Sequence, residues 1–235
     1  MTEPSFPPLM AGHAASGAED PFALASQKAV LGCDAGLIVH NLASDRLSVA
    51  LVCAPEVPLA KAMTMLPISG IAFQNALGAL APPEVAVHLQ WDGGIRINGG
   101  RCGHLRVAAS TNDPTTTPDW LVIALDLALW PPSDVETGTT PEDTALYAEG
   151  CADVDAVGLL ESYARHALHW ITRWEDDGTE PVHSTWRGLV HGIGDDLSQG
   201  SLTGTFLGVD ENFGLLLRDA ETTHLIPLTT LLETP

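Results

Sequence analysis

Apolar residues alternate with polar ones in several short stretches of the chain, a period of two that is typical of β-strands. The sequence predicts strands over 35–42, 46–55, 84–91, 93–100, 104–110 and 119–129. The segment 119–129, "DWLVIALDLAL", is the most continuously apolar of these, so it is predicted to run through the centre of a sheet.

Other stretches have the three-to-four-residue spacing of helices. A helix is predicted over about 21–31, with Asp20 as its N-cap, Pro21 in its first turn and Gly32 at its end. The longest helix signal covers 153–178, where Asp153 or Asp155 is the candidate cap.

A third helical pattern covers 58–80 and is interrupted by Pro67. Its apolar positions Ile71, Leu77 and Leu80 are predicted to face inward. A short helix is predicted to follow the longest one, around 183–190.

The character of the chain changes near Gly188, after which short strands with Gly and Asp-Asn turns predict a small β-barrel of SH3-like size. The predicted organisation is therefore an extended lead-in over 1–19, an α+β domain over 20–188 and a small all-β domain over 189–235. The segment 131–143, rich in Pro, Thr and acidic residues, is predicted to be a surface loop or linker.

Composition and charge narrow the function classes. Apolar residues make up 45% and charged residues 17% of the 235 residues, as in globular proteins. Thirty acidic residues against ten basic ones give a net charge of -20, which predicts no nucleic-acid partner because such a surface repels phosphate backbones. No apolar run reaches membrane length and the N-terminus lacks signal-peptide features, so we expect no membrane association and a cytoplasmic location.

Cysteine and histidine spacing gives no indication of a metal site. The four cysteines are far apart and form no CxxC pair, and the nine histidines show no HExxH or similar ligand spacing. We therefore predict neither a disulfide framework nor a bound metal.

The segment "QWDGGIRINGGRCGHL", 90–105, carries the most specific pattern in the chain. It resembles the central motif of the biotin/lipoate protein ligases, in which Lys-Trp-Pro-Asn-Asp precedes a strand, a turn, and a second strand bearing a Lys followed closely by Gly-Ile-Leu. Trp91 stands at the family tryptophan, with Gln90 at the first lysine and 92–94 at Pro-Asn-Asp. Arg101 falls at or next to the second lysine, and Gly103 or His104 at the glycine.

The resemblance extends from about residue 20 to the C-terminus, because 144–188 is similar to the late helices of that family and 204–228 to its C-terminal domain. It implies a mixed sheet packed by helices and followed by an SH3-like barrel. It also implies an acyl pocket at the hairpin, with these ligand-binding candidates: Trp91, Gly93, Gly94, Arg101, Gly103 and His104.

The family joins a small carboxylic acid to a protein lysine through an acyl-adenylate, and that chemistry requires cations beside the phosphates. Here the basic glycine-rich loop of the family is replaced by "NLASDR", 41–46, with Arg46 as its only cation. No lysine follows Lys61. We therefore expect a divergent member that binds a biotin-, lipoate- or fatty-acyl-like acid with weak or absent ligation, using ATP and Mg²⁺ only if ligation is retained.

Arg101 is the candidate that could replace the second lysine as a charge, although a planar guanidinium is a poor substitute for a compact ammonium. Arg96 and Arg106 are further cations on the same strands. The alternative is that Arg101 pairs with a nearby acid such as Asp92 and that the pocket is vestigial.

Two other functions stay open. Some lipoyl and octanoyl transferases of the same superfold form a thioester on a cysteine, and a regular strand would place Cys102 and His104 on one face, where the imidazole could activate the thiol. The structural alternative is a buried cysteine beside a surface histidine. Finally, the chain could be a non-catalytic interaction protein that recognises a biotinyl or lipoyl acceptor domain or another partner.

Overall fold

A seven-stranded mixed sheet forms the centre of the larger domain in the computed structural model, which describes residues 3–131 and 142–233. Its strand order is β1-β2-β3-β7-β6-β5-β4, and only the β1–β2 pair is parallel. The strands are β1 (Ala11–Ala14), β2 (Leu37–Leu42), β3 (Arg46–Cys53), β4 (Val87–Leu89), β5 (Gly94–Ile97), β6 (Gly100–Ala109) and β7 (Leu121–Ala128). The apolar β7 is the middle strand, as its composition predicts.

Strand β1 lies within the segment 1–19, which was predicted to be an extended lead-in. It pairs with β2 and forms one edge of the sheet, so this segment contributes to the main sheet. All four residues of β1 are exposed.

Helices cover both faces of the sheet. They are α1 (Pro21–Val30), α2 (Leu59–Ala62), α3 (Met65–Gly78), α4 (Ala156–Asp177) and α5 (Glu180–Arg187). Helices α3 and α4 pack on the face that carries the larger apolar core, whereas α1 packs on the opposite face, against β2, β3 and β7. We call that second face the α1 face.

The predicted helix limits are confirmed for α1 and α4. The Asp20 carboxylate accepts the backbone N–H of Phe22 at the start of α1, and the Asp155 carboxylate accepts that of Gly158 at the start of α4. These side chains satisfy N–H groups that have no partner within the helix. Gly178 ends α4.

The prediction for 58–80 is wrong in two details. The break falls at 63–64, between α2 and α3, and Pro67 lies in the first turn of α3, where its missing N–H removes no helical hydrogen bond. Leu80 follows the helix and is 44% exposed, because α3 ends at Gly78 before the apolar periodicity does.

A second, antiparallel sheet of four strands follows the larger domain, in the order β11-β10-β9-β8. These strands are β8 (Asp196–Gln199), β9 (Leu202–Val209), β10 (Leu215–Arg218) and β11 (Thr223–Ile226). The α+β architecture with a small C-terminal sheet is therefore confirmed. Most of the loop predicted over 131–143 lies outside the described residues.

No helix among the described residues is both long and apolar enough to cross a membrane.

Candidate functional site

Trp91 lies at the junction of the two sheets. Its side chain is only 4% exposed, and the indole Nε1 donates a hydrogen bond of 2.7 Å to the carbonyl of Phe213, which precedes β10. Leu89 also forms a bridge with Val190. The tryptophan of the motif therefore joins the small sheet to the large one.

Gly93 and Gly94 form a tight turn against β6. Gly93 has φ +99°, and a Cβ atom there would lie 2.5 Å from the carbonyl oxygen of Leu105. The cavity that these glycines share with Trp91 has a volume of only about 10 Å³, which is too small for an acyl ligand. Close backbone packing explains the glycine at 93, whereas a Cβ atom at Gly94 would lie 2.5 Å from the side-chain Oε1 of Gln90.

Arg101 lies near the β5–β6 turn, and its side chain is 52% exposed. Its Nε donates to the Asp143 carboxylate at 2.9 Å, and its backbone pairs with Glu142 and Thr144. The acid that Arg101 contacts is thus Asp143 rather than Asp92.

Cys102 is the extra residue of a β-bulge. Ile95 pairs with Gly103 and Arg96 with Arg101, so Cys102 has no partner on β5. The bulge changes the alternation of side chains along β6. Cys102 is therefore buried in the core, whereas His104 is exposed.

The prediction that Cys102 and His104 share a face is therefore wrong. Burial raises the pKa of the Cys102 thiol to about 12, and the thiol lies 3.5 Å from the Ala128 carbonyl oxygen. This environment disfavours the thiolate that a nucleophilic cysteine requires.

The predicted ligand residues are consequently not gathered around one cavity. Trp91, Gly93 and Gly94 line the small junction cavity, while Arg101 lies outside it at the end of the hairpin. Gly103 packs against β7, where a Cβ atom would lie 2.5 Å from the Asp126 carbonyl oxygen. His104 lies on the α1 face, opposite Asp126 in the strand register.

A much larger cavity, of about 460 Å³, lies on the α1 face beside the N-terminus of α1. Its floor is a row of polar side chains on adjacent strands: Asn41 on β2 is opposite Ser48 on β3, which is opposite Asp126 on β7. The Ser48 hydroxyl donates to the Asp126 carboxylate, and the Asn41 amide donates to the Gly17 carbonyl. The full lining is 17–21, Asn41, Ala43, Asp45, Arg46, Ser48, Arg106 and Asp126.

Two arginines line this α1-face cavity, and their surroundings differ. Arg46 makes no ion pair within residues 3–131 and 142–233. Arg106 pairs with both Asp20 and Glu233, at 3.0 and 2.9 Å, and its guanidinium lies 4.1 Å from the centre of the Phe22 ring. The hydrogen bonds that Arg106 donates to the Glu233 carboxylate are the main reason why the pKa of Arg106 is raised.

The composition of this cavity does not fit ATP with Mg²⁺. Four carboxylates (Glu19, Asp20, Asp45, Asp126) face two guanidiniums, of which one is already paired with acids. No cluster of three or more metal-ligating side chains occurs in the described parts of the chain. A triphosphate would meet more negative than positive charge here.

The floor residues were not predicted. Ser48 and Asp126 are single polar residues inside otherwise apolar strands. In the sequence, each looks like an ordinary solvent-facing position of a strand. The only available signal was that both interrupt strands with nearly continuous apolar character.

The fold and the motif region agree with one family of enzymes. Residues 6–188 match the biotin/lipoate A/B protein ligase family, and the chain belongs to that family. Residues 193–234 match a separate domain of unknown function, DUF4444.

Individual relatives show how far the similarity extends. A biotin–[acetyl-CoA-carboxylase] ligase of Paracoccus denitrificans is 25% identical over 182 residues, which cover 75% of each chain. The crystal structure of a biotin protein ligase-like protein of unknown function from Silicibacter sp. tm1040 is 65% identical, covers 99% of this chain and 100% of its own, and has a TM-score of 0.94. The Aquifex aeolicus biotin protein ligase in complex with biotin and ATP shares the fold, with TM-score 0.66, 14% identity, and coverage of 86% and 90%.

Proposed function

We propose that this chain is a divergent biotin/lipoate ligase-family protein that binds a small carboxylic acid in the α1-face cavity and has weak or absent ATP-dependent ligase activity. The acid would be biotin-, lipoate- or fatty-acyl-like. The observation that carries the proposal is Arg46, which lines the cavity and makes no ion pair within residues 3–131 and 142–233.

The size of the cavity supports a small ligand. About 460 Å³ lies within the range of typical ligand sites, whereas the junction cavity at Trp91 holds about 10 Å³. A monoanion needs only one cationic partner, and Arg46 has donors that no described acid occupies. His104, one of the residues predicted to bind the ligand, is opposite Asp126 in the strand register but does not line the cavity.

The charge composition of the cavity argues against carboxylate activation by ATP. Charge on the α-phosphate and the departing pyrophosphate needs several preorganised cations. Arg101 is half exposed and paired with Asp143, and Gly93 and Gly94 offer no side chains. Weak or absent adenylation is therefore the expected behaviour.

A cysteine-dependent acyl transfer receives no support from the geometry, because Cys102 is buried away from His104 and its pKa is raised to about 12. An acceptor domain carrying a target lysine stays a possible protein partner, since the Paracoccus relative is named for its action on acetyl-CoA carboxylase.

Calorimetric titration with octanoate, lipoate, biotin and ATP, together with ATP–pyrophosphate exchange, tests the proposal. We expect at least one of the acids to bind, ATP to bind more weakly, and exchange to be negligible. Arg46→Gln should weaken acid binding several-fold, whereas Arg101→Gln, which removes an arginine outside the cavity, should not. Robust exchange, or tighter binding of ATP than of any acid, would contradict the proposal, and no binding at all would favour the interaction-protein alternative.

A further inference from the structure

The Arg106–Glu233 contact has the geometry of a bound carboxylate. The Glu233 carboxylate accepts from Arg106 Nε at 3.1 Å to each oxygen and from Nη2 at 2.9 Å. This is a two-pronged pairing, the arrangement by which arginine recognises a carboxylate with defined orientation. Arg106 lines the α1-face cavity and Glu233 does not, so a carboxylate beside the cavity occupies one of its two cations.

Backbone pairing brings Glu233 to this place. Leu232 forms a parallel bridge with Val107 of β6, and the Glu233 N–H donates to the Val107 carbonyl at 2.8 Å. Strand β5 pairs only with the first half of β6, over 100–104, so the second half has a free edge that the segment 232–233 takes.

Arg106 would keep its position if Glu233 left. Nη1 donates to the Asp20 carboxylate at 3.0 Å, and the guanidinium lies over the Phe22 ring. Asp20 is itself fixed because it caps α1. The edge of the guanidinium formed by Nε and Nη2 would then be preorganised to receive another carboxylate.

We propose that Arg106 is a second carboxylate anchor of the α1-face cavity, in addition to Arg46, and that Glu233 is an internal competitor which a ligand carboxylate must displace from Arg106. This proposal rests on the proposed function. It adds that Arg106 is the second cation for the ligand carboxylate and that Glu233 controls its availability. The pair is partly exposed, with 28% of the Arg106 and 38% of the Glu233 side chain accessible, so water compensates the released carboxylate and the exchange is feasible.

The exchange also selects for charge. A neutral amide of the same shape gives Arg106 a weaker, uncharged acceptor in place of Glu233, whereas an acid restores a charged pair. The site should therefore prefer octanoate over octanamide, and more so when Arg106 is free.

The test is calorimetric titration of octanoate and octanamide into the whole chain and three variants. Glu233→Gln should tighten octanoate binding by roughly two- to fivefold, the amount that a partly exposed ion pair contributes, and should leave octanamide unchanged. Adding Arg106→Gln to that variant should remove the gain. Asp143→Asn is the matched control, because it deletes one acid from an arginine pair outside the cavity with the same change in net charge, and it should leave affinity within twofold.

The outcomes separate the two proposals. If the wild type binds octanoate and Glu233→Gln changes affinity no more than Asp143→Asn does, the competitor role is wrong while the proposed function stands. If Glu233→Gln, folded by circular dichroism, binds no acid either, both are wrong.

Discussion

The thiol of Cys102 is held in the core by the bulge of β6, where its protonated form is the stable one. Burial raises its pKa to about 12, well above the value of roughly 8.5 in an unfolded chain. The folded state therefore holds this proton more tightly than the unfolded state does, and stability falls as the pH rises between these two values.

We predict that Cys102→Ala reduces the alkaline loss of stability. The decline in free energy of unfolding between pH 8.5 and 10.5, measured by urea denaturation, should be shallower in the variant than in the wild type. In a parallel measurement at pH 8, iodoacetamide should label Cys102 in urea and not in the native protein. Rapid native labelling would mean that the thiol is accessible and would restore the nucleophile hypothesis.

A matched pair of substitutions compares the steric demands of two turns, the one that joins β4 to β5 and the one that joins β5 to β6. Gly93 and Gly99 both have positive φ, +99° and +93°. A Cβ atom at Gly93 would lie 2.5 Å from the Leu105 carbonyl oxygen, whereas one at Gly99 would meet nothing within 4 Å.

Gly93→Ala should therefore destabilise the protein by roughly 1–3 kcal/mol more than Gly99→Ala. Both substitutions place a Cβ atom on a left-handed backbone, which is strained, but only the first also displaces β6. Urea denaturation of the two variants measures the difference. Equal losses would show that β6 shifts at no cost, and the glycine would then need a functional explanation.

At the level of elements, the sequence was sufficient to predict helix starts and turns, because neighbouring residues alone determine these features. Asp20 and Asp155 cap helices because short acidic side chains satisfy free N–H groups, and Asn98-Gly99 forms the β5–β6 turn because both residues tolerate positive φ. The helical period of 58–80 predicted which residues of α3 face inward, but it did not predict the break at 63–64.

The bulge and the cavity could not be predicted in the same way. A bulge adds one residue to one strand, and nothing in "GRCGHL" distinguishes it from a regular strand. The floor residues Asn41, Ser48 and Asp126 come from three strands, and only the register of β2, β3 and β7 brings them into a row. Such long-range pairing is a property of the sheet and has no local sequence signal.

For the whole molecule, the net charge of -20 sets the response to salt. Like charges repel in the compact state, and added salt screens that repulsion. We predict that the urea midpoint rises between 20 and 500 mM NaCl at pH 7.5, with the range chosen to shorten the screening length from about 20 to about 4 Å. At pH 5.5, closer to the pI of about 4.5, the rise should be smaller. A midpoint that falls with salt would show that attractive ion pairs, such as those of Arg106, outweigh the repulsion.

The pairing of Glu233 with Arg106 also has a kinetic consequence, because it joins residues that are 127 positions apart in the chain. Closing so long a loop has a large entropic cost, and the contact becomes favourable only when β6 and α1 already hold Val107 and Asp20 in place. The Arg106 side of the α1-face cavity should therefore acquire its native structure late in folding and open early in local fluctuations.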